Sequence, residues 1–201
     1  MAIQTERKMT VAEYLAWEER QDVKHEYIDG EIIEMTGGTL THTRIKTNIG
    51  GILFALLDLS AYILCNSDMR LRISSTRYVY PDFSIVRGEP RLEDEKELTL
   101  LNPVLVVEVT SPSSASYDRI DKLGFYLDVP SIEAYLIVEQ ERARADLYTR
   151  AEEGWYVRVF NQPDDVIPLA ALNCELPLAQ VYHGIEFAGA GDLPVAAGPG
   201  N

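Results

Sequence analysis

One glutamate inside an apolar segment constrains the fold of this chain more than any other residue. Glu108 lies in the segment 103–109, whose other residues are proline, valine and leucine. A short β-branched run predicts a strand in the interior of a sheet, and strand alternation puts Glu108 on the same face as Val104 and Val106. A buried ionised carboxylate is costly unless a cation or several hydrogen-bond donors meet it. Either a structural partner such as an arginine or a functional site must therefore surround Glu108.

A second carboxylate interrupts the strand-like segment that precedes this one. Asp82 lies within the segment 78–86 and directly follows Pro81. Proline has no N–H to donate, so within a sheet it marks an edge, a strand start or a bulge, and such a point can aim a side chain into a site. Taken alone, an aspartate after proline is most often a turn residue. Two carboxylates in consecutive strands predict a shared cation, and without it their repulsion should raise the pKa of at least one.

Lys122 is the third candidate residue. The segment from about 116 to 129 predicts a helix that ends before Pro130, and on it Asp118, Lys122 and Tyr126 share one face. A lysine at such a position is usually solvated or, in this chain, paired with Asp118. Its location on the helix that follows the Glu108 strand favours the alternative, in which the ammonium group points back toward the carboxylates.

Together these residues indicate a type of chemistry. Asp82 and Glu108 would hold Mg²⁺ or Mn²⁺ through oxygen, with water completing the coordination shell. The ion would polarise a phosphoryl oxygen and generate hydroxide from bound water, while Lys122 would orient that water or stabilise charge on the phosphate. The set therefore predicts metal-dependent hydrolysis of phosphodiester bonds. Glu26 and His42 are weak candidates when each is taken alone.

The remaining patterns predict an α/β or α+β domain in which helices flank a mixed sheet. Thr10 and Glu13 form a capping box before a helix over 11–20, and the Asp-Gly turn at 29–30 predicts a hairpin over 26–35. Apolar residues at helical spacing predict a helix over 42–60, in which Gly50 and Gly51 indicate close packing. Further strands are predicted at 62–65, 69–73, 133–138, 143–149 and 155–160, and a loop or loose helix at 87–102. We expect one domain over 1–188 and a flexible tail over 189–201.

Composition excludes several classes of protein. The 201 residues suffice for one well-packed domain, and the two cysteines, Cys65 and Cys174, have no spacing typical of a metal knuckle or a disulfide scaffold. No segment is long enough for a transmembrane helix, and the first residues lack the apolar core of a signal peptide. We therefore expect a reduced, cytoplasmic protein with no membrane partner.

Charge is distributed unevenly along the chain. The formal net charge is −14, which argues against non-specific coating of nucleic acid. Residues 1–80 carry nine basic and eleven acidic side chains, whereas residues 81–201 carry nine basic and twenty-one acidic ones. The near-neutral half predicts either scattered surface charge or a basic strip formed by Arg44, Lys46, Arg70, Arg72 and Arg77. The first four of these and Tyr126 are the candidate substrate-binding residues.

Several short motifs, in this order, resemble the Uma-two family, a group of restriction-endonuclease-like proteins in the PD-(D/E)xK nuclease superfamily. The motifs are Glu26-Tyr27-Ile28-Asp29-Gly30-Glu31, Pro81-Asp82, Val107-Glu108-Val109-Thr110-Ser111-Pro112-Ser113, Asp118-x-x-x-Lys122 and Glu133-Ala134-Tyr135. The resemblance covers about residues 9–185 and implies a restriction-endonuclease-like core. It also implies that Asp82 and Glu108 are metal ligands, Lys122 is the catalytic lysine and Glu26 is an additional acidic residue of the site.

One position departs from the usual pattern of that superfamily. Its lysine lies two residues after the glutamate, where this chain has Thr110. Catalysis would therefore depend on Lys122 reaching the site from the following helix.

Three functions agree with these observations. The first is a Mg²⁺-dependent DNA endonuclease that acts as a homodimer, because cutting both strands needs two sites. The second is a nuclease-fold protein that no longer cuts and binds DNA or protein, and the third is a metal-dependent phosphoesterase acting on a small substrate. The acidic charge favours the alternatives, whereas the intact polar set favours the nuclease.

Overall fold

The computed structural model describes residues 8–35, 37–93, 95–110 and 122–187. Its helices are α1 (Val11–Glu18), α2 (Leu40–Leu56), α3 (Leu123–Leu127) and α4 (Leu178–Val181), with a 3-10 turn at Ala170–Leu172. No helix in these ranges combines the length and the apolar character that a membrane crossing needs. The predicted turn at 111–116, the beginning of the predicted helix with Asp118, and the predicted tail at 189–201 lie outside the described residues.

The strands form two larger sheets and one pair. They are β1 (His25–Ile28), β2 (Glu31–Glu34), β3 (Tyr62–Asn66), β4 (Arg70–Ser74), β5 (Arg77–Val79), β6 (Phe83–Arg87), β7 (Thr99–Leu100), β8 (Leu105–Thr110), β9 (Ala134–Glu139), β10 (Ala145–Ala151), β11 (Gly154–Phe160), β12 (Val166–Leu169) and β13 (Cys174–Pro177). The strand orders are β11-β10-β9-β8-β6-β3, β2-β1-β5-β4-β7 and β12-β13. In the six-stranded sheet β8 and β9 run parallel, and their other neighbours are antiparallel. The predicted α+β architecture with a mixed central sheet is confirmed.

The two faces of the six-stranded sheet bury different apolar clusters. The odd-numbered residues of β8 pack with the apolar face of α2 and with the β12-β13 pair. Val106 faces the other side, where Tyr126 of α3 and apolar side chains of the five-stranded sheet enclose it. Glu108 shares the face of Val106 because side chains alternate along a strand. Val104 precedes β8 and packs in the first cluster, so the prediction that it shares this face is wrong.

Patterns that depend on neighbouring residues are confirmed. In the capping box of α1, the backbone N–H of Thr10 donates to Glu13 Oε2 at 2.9 Å, and Thr10 Oγ1 accepts from the backbone N–H of Glu13 at 3.3 Å. In the β1-β2 hairpin, Asp29 has a φ of 51° and Gly30 a φ of 97°. Such turns require positive φ at both central residues, which aspartate and glycine tolerate best.

The prediction of one continuous strand over 78–86 is wrong, and the break within it places Asp82. The chain leaves β5 at Tyr80, passes through Pro81 and Asp82, and resumes as β6. These three residues carry the chain from the five-stranded sheet to the six-stranded sheet. The missing N–H of Pro81 explains why ladder pairing ends there. The predicted loop over 87–102 is also wrong in part, because it contains β7, which pairs in parallel with β4.

The two adjacent glycines of α2 differ in their surroundings. A Cβ on Gly50 would lie 3.1 Å from Cζ of Phe83, whereas a Cβ on Gly51 would meet nothing within 4 Å. Because alanine is favoured over glycine inside a helix, we expect Gly51→Ala to raise the free energy of unfolding by about 1 kcal/mol. Gly50→Ala should gain less or destabilise the protein, since Phe83 must shift. Urea denaturation of both variants measures the difference, and equal gains would contradict close packing at Gly50.

Candidate active site

Asp82 and Glu108 meet beside the start of β6. The register of the central sheet pairs Phe83 of β6 with Val107 of β8, which brings the preceding residue, Asp82, next to Glu108. The backbone N–H of Asp82 donates to Glu108 Oε2 at 3.3 Å, and the backbone N–H of Val109 donates to Asp82 Oδ2 at 2.7 Å. Both side chains are buried. The two carboxylates therefore form one buried pair.

Lys122 immediately precedes α3, and its ammonium group contacts two glutamates. Its Nζ lies 2.8 Å from Glu26 Oε1 and 3.1 Å from Glu108 Oε1. The lysine side chain is only 7% exposed, so the ammonium group faces the carboxylates and not solvent. Charges removed from water to this degree interact more strongly than a surface pair does. The structure thus brings Glu26, Glu108 and Lys122 into one cluster.

Glu26 reaches this cluster from β1, in the five-stranded sheet. Its Oε1 accepts the backbone N–H of Tyr80 at 3.4 Å, and the residue is 3% exposed. Tyr80 belongs to the linker that also contains Asp82, so this linker contacts both Glu26 and Glu108. The site is consequently assembled at the junction of the two sheets.

Tyr126 of α3 lies one helical turn after Lys122 and contacts Glu108. Its hydroxyl donates to Glu108 Oε1 at 2.9 Å, and the side chain is fully buried. Burial, followed by the negative charge of Glu108, raises the pKa of the Tyr126 phenol well above its ordinary value. The hydroxyl therefore remains a hydrogen-bond donor at neutral pH. Tyr126 is placed to orient Glu108 from within the core.

This hydrogen bond has a measurable consequence for stability. Tyr126→Phe is expected to lower the free energy of unfolding by about 1.5 to 3 kcal/mol, because it removes a donor from a buried charged acceptor. Tyr156→Phe is the matched control, since Tyr156 is 70% exposed, and it should change stability by less than about 0.5 kcal/mol. Chemical denaturation measures both, and equal small losses would show that Glu108 does not depend on Tyr126.

Two basic side chains of α2 contact Asp82. Lys46 Nζ lies 2.7 Å from Asp82 Oδ1, and His42 Nε2 lies 3.4 Å from the same oxygen. Burial acts to raise the pKa of Asp82, but the hydrogen bond from His42 and the charge of Lys46 outweigh it, and the pKa lies below its ordinary value. The pKa of Asp82 is thus not raised, because His42 and Lys46 contact its carboxylate. That the pKa of at least one of the two carboxylates is raised stays a prediction.

The basic strip predicted from the sequence is divided between surface and interior. Arg44 of α2 is exposed, whereas Arg70 is 4% exposed and donates to Thr99 Oγ1 at 2.7 and 3.0 Å. Arg72 is half-buried and forms an ion pair of 2.6 Å with a glutamate of the loop after β6. Lys46 is the member of the strip that contacts Asp82. Arg77, the fifth member, pairs with Asp29 at 2.6 Å. A continuous basic groove formed by these five side chains is therefore absent from the part of the chain that the structure describes.

His42 contacts Asp82 although its position in the sequence made it a weak candidate, and Gln140 lies near the site without having been predicted there. His42 precedes Lys46 by four residues on α2, and this spacing was the signal that the two share a face. Gln140 directly follows β9, and its Oε1 accepts from the hydroxyl of Thr39, the N-cap of α2, at 3.0 Å. Its backbone N–H donates to the carbonyl of Thr110 at the end of β8. The parallel pairing of β8 and β9 thus brings Gln140 beside the end of the Glu108 strand.

The Asp82–Glu108 pair has the donor chemistry of a hard-cation site. Among the described residues, no group of three or more histidine, cysteine, aspartate or glutamate side chains is arranged to hold a metal ion. Mg²⁺ is often held by one or two carboxylates, with waters and substrate oxygens completing its shell. Two buried carboxylates therefore fit such an ion in type and in number.

The fold and the site together define a restriction-endonuclease-like α+β protein. A crystal structure of a putative nuclease belonging to DUF820 from Anabaena variabilis ATCC 29413 has this fold, with a TM-score of 0.71. The two chains are 18% identical, and the likeness covers 87% of this chain and 97% of that chain. At this level of identity the comparison concerns the fold alone.

The chain belongs to the Uma2 family, described as "Putative restriction endonuclease", whose model matches residues 11–179. The uncharacterized protein slr1290 of Synechocystis sp. (strain PCC 6803) is 35% identical over 182 residues, which cover 90% of this chain and 94% of that protein. The uncharacterized protein sll1609 of the same organism is 36% identical over 151 residues, covering 75% and 85%. The resemblance inferred from the motifs is confirmed by the family match.

Proposed function

We propose that this protein is a divalent-metal-dependent endonuclease that hydrolyses phosphodiester bonds of DNA. One observation carries the proposal: Glu26, Asp82, Glu108 and Lys122, which come from four separate segments, converge in one buried cluster. Burying three carboxylates opposes folding unless their cations and donors compensate, so an arrangement of this kind is typical of a functional site. Membership of the Uma2 family supports the same class of reaction.

Asp82 and Glu108 are the residues that would hold Mg²⁺ or Mn²⁺. When bound there, the ion would supply a polarised phosphoryl oxygen and a water of lowered pKa as the nucleophile. The backbone N–H groups of Asp82 and Val109 fix the orientation of the two carboxylates. Tyr126 adds a third donor to this support.

Lys122 is the proposed source of positive charge toward the reacting phosphate. Glu26 and Glu108 hold its ammonium group in place, so little reorganisation is needed when charge develops on the phosphate. Thr110 occupies the position of the usual superfamily lysine, and Lys122 supplies an ammonium group to the same glutamate from the start of α3. Its position directly before α3 would thus compensate for the absence of a lysine in the strand.

We further propose that the active form is a homodimer in the cytoplasm. The described residues of each chain form one candidate site, and a cut through both strands of a duplex requires two. The proposal predicts that dimerisation places two Asp82–Glu108 pairs on one face of the assembly.

A phosphoesterase acting on a small substrate is the second candidate. The net charge of −14 and the burial of Arg70 leave less basic surface for a long polyanion than the sequence alone indicated. A substrate with one phosphodiester would need only the site itself. A nuclease-fold protein that binds DNA or protein without cleavage is the third.

Cleavage assays distinguish these functions. Supercoiled plasmid, single-stranded DNA and a chromogenic phosphodiester are each incubated with Mg²⁺ or Mn²⁺, with an EDTA control. Plasmid cleavage that EDTA abolishes supports the endonuclease. Turnover of the chromogenic ester without plasmid cleavage supports the small-substrate enzyme, and binding of Mn²⁺ without any turnover supports the binding module.

A further inference from the structure

Lys46 occupies an unusual position for a lysine of an amphipathic helix. Its ammonium group contacts Asp82 Oδ1 at 2.7 Å and also lies 3.2 Å from the hydroxyl of Ser67. The Asp82 side chain is 11% exposed, whereas that of Lys46 is 23% exposed. A partly exposed lysine of α2 thus neutralises one of the two carboxylates that would bind the metal.

The two lysines of the site differ in how firmly they are held. Lys122 contacts two glutamates and is almost fully enclosed. Among the described residues, Lys46 forms an ion pair with one carboxylate, and the Ser67 hydroxyl gives its ammonium group a second partner. Its flexible four-carbon stem allows the ammonium group to move without displacing the helix. Lys46 is therefore the lysine that can leave its carboxylate at small cost.

Lys46 occupies Asp82 Oδ1, while Asp82 Oδ2 accepts the backbone N–H of Val109. A divalent ion and an ammonium group that contact the same carboxylate oxygen repel each other strongly, because like charges at contact distance in a partly buried site are poorly screened. We propose that Lys46 is a built-in counter-ion, which neutralises Asp82 in the metal-free protein and is displaced from it when a divalent cation binds. This inference rests on the proposed function. Binding of the metal ion and departure of the Lys46 ammonium group from Asp82 are then thermodynamically coupled.

The coupling has a direct thermodynamic consequence. Whatever stabilises the contact between Lys46 and Asp82 must be given up on metal binding, so it weakens the affinity for the ion. Removing the charge of Lys46 should therefore tighten metal binding, although the same change removes a favourable ion pair from the metal-free fold. A lysine that merely supports the fold would give the opposite result, since its loss would loosen the site.

Direct measurement of Mn²⁺ binding tests this inference without any activity assay. Free Mn²⁺ is followed by electron paramagnetic resonance in neutral buffer. Lys46→Gln retains a hydrogen-bond donor without the charge, Lys46→Met removes both, and Lys46→Arg retains the charge. Lys24→Met is the matched control, because Lys24 pairs with Asp68 in the turn that contains Ser67.

We expect Lys46→Gln and Lys46→Met to bind Mn²⁺ about tenfold more tightly than wild type. Lys46→Arg and Lys24→Met should remain near the wild-type affinity. Two neutral variants are used so that the test still stands if one of them does not fold. Circular dichroism shows whether each variant is folded.

The possible outcomes separate this inference from the proposed function. Unchanged or weaker Mn²⁺ binding by the neutral Lys46 variants, with a wild type that does bind, overturns the counter-ion role alone. Failure of every variant and the wild type to bind Mn²⁺ overturns the metal-dependent function together with the inference. Binding by the neutral variants at concentrations where the wild type stays empty supports the inference in its strongest form.

Discussion

Asp82→Asn is expected to reduce metal-dependent cleavage to about one hundredth of the wild-type rate or less. Asparagine removes the negative charge that would hold the ion, while its side-chain oxygen can still accept the backbone N–H of Val109. The local fold should therefore survive the substitution. The initial rate of plasmid cleavage at saturating Mn²⁺ measures the effect, and circular dichroism verifies that the variant is folded.

A buried carboxylate outside the site provides the control for this experiment. Asp146 of β10 is buried and pairs with Arg144 at 2.9 Å. Asp146→Asn should lower stability while leaving the cleavage rate of the folded protein near that of wild type. If both variants lose activity equally, the loss reflects a general weakening of the fold. If Asp82→Asn cleaves as well as wild type, Asp82 does not hold a catalytic metal ion.

Lys122→Met is expected to lower the free energy of unfolding more than Tyr126→Phe does. The substitution leaves the buried side chains of Glu26 and Glu108 without the ammonium group that contacts them both. Breaking a buried ion pair by removing one partner costs about 3 to 5 kcal/mol. Urea denaturation in the absence of divalent ions measures this loss.

An exposed lysine shows how much of this loss is due to burial. Lys96 pairs with Glu19 at 2.6 Å, and its side chain is 65% exposed. Lys96→Met should change the free energy of unfolding by no more than about 1 kcal/mol, because solvent screens the pair. Lys122→Arg should recover part of the loss, since it restores the charge. A Lys122→Met variant as stable as Lys96→Met would mean that the two glutamates do not depend on Lys122.

Asp82→Asn and Lys122→Met test two different roles, metal binding for the reaction and charge compensation for folding. Asp82 is replaced by a side chain of the same shape, so its effect should fall mainly on the reaction. Lys122 is the cation for two buried carboxylates, so its effect should fall on folding before the reaction is considered. If these residues only stabilised the junction of the two sheets, both substitutions would lower the free energy of unfolding. Neither would then change a metal-dependent cleavage rate.

Several features could be predicted because they depend on residues close together in the chain. The capping box of α1 and the Asp29-Gly30 hairpin are of this kind, since short-range hydrogen bonds and backbone preferences decide them. The strand around Glu108 and the common face of Lys122 and Tyr126 follow from the periods of strand and helix. The Tyr126 and Lys122 side chains do converge on Glu108.

Other features could not be predicted because they depend on contacts between distant segments. Residues 78–86 have the composition of one strand. The segment is nevertheless divided at Pro81, because its first part pairs in the five-stranded sheet and its last part pairs in the six-stranded sheet. Arg70 has the appearance of a surface cation, but the packing of β4 against β7 buries it beside Thr99. Burial of a long polar side chain depends on the partners that enclose it, and these lie elsewhere in the sequence.

The sequence by itself determined the class of fold, the buried strand that contains Glu108 and the common face of Lys122 and Tyr126, because each depends on local composition and periodicity. The pairing of Asp82 with Glu108 depends on the register between β6 and β8. Only the tertiary structure decided which cation meets which carboxylate. It placed Lys122 between Glu26 and Glu108, and it placed Lys46 on Asp82. The physical reason is that an ion pair between segments far apart in the chain depends on the register and packing of whole sheets and helices, which no local pattern encodes.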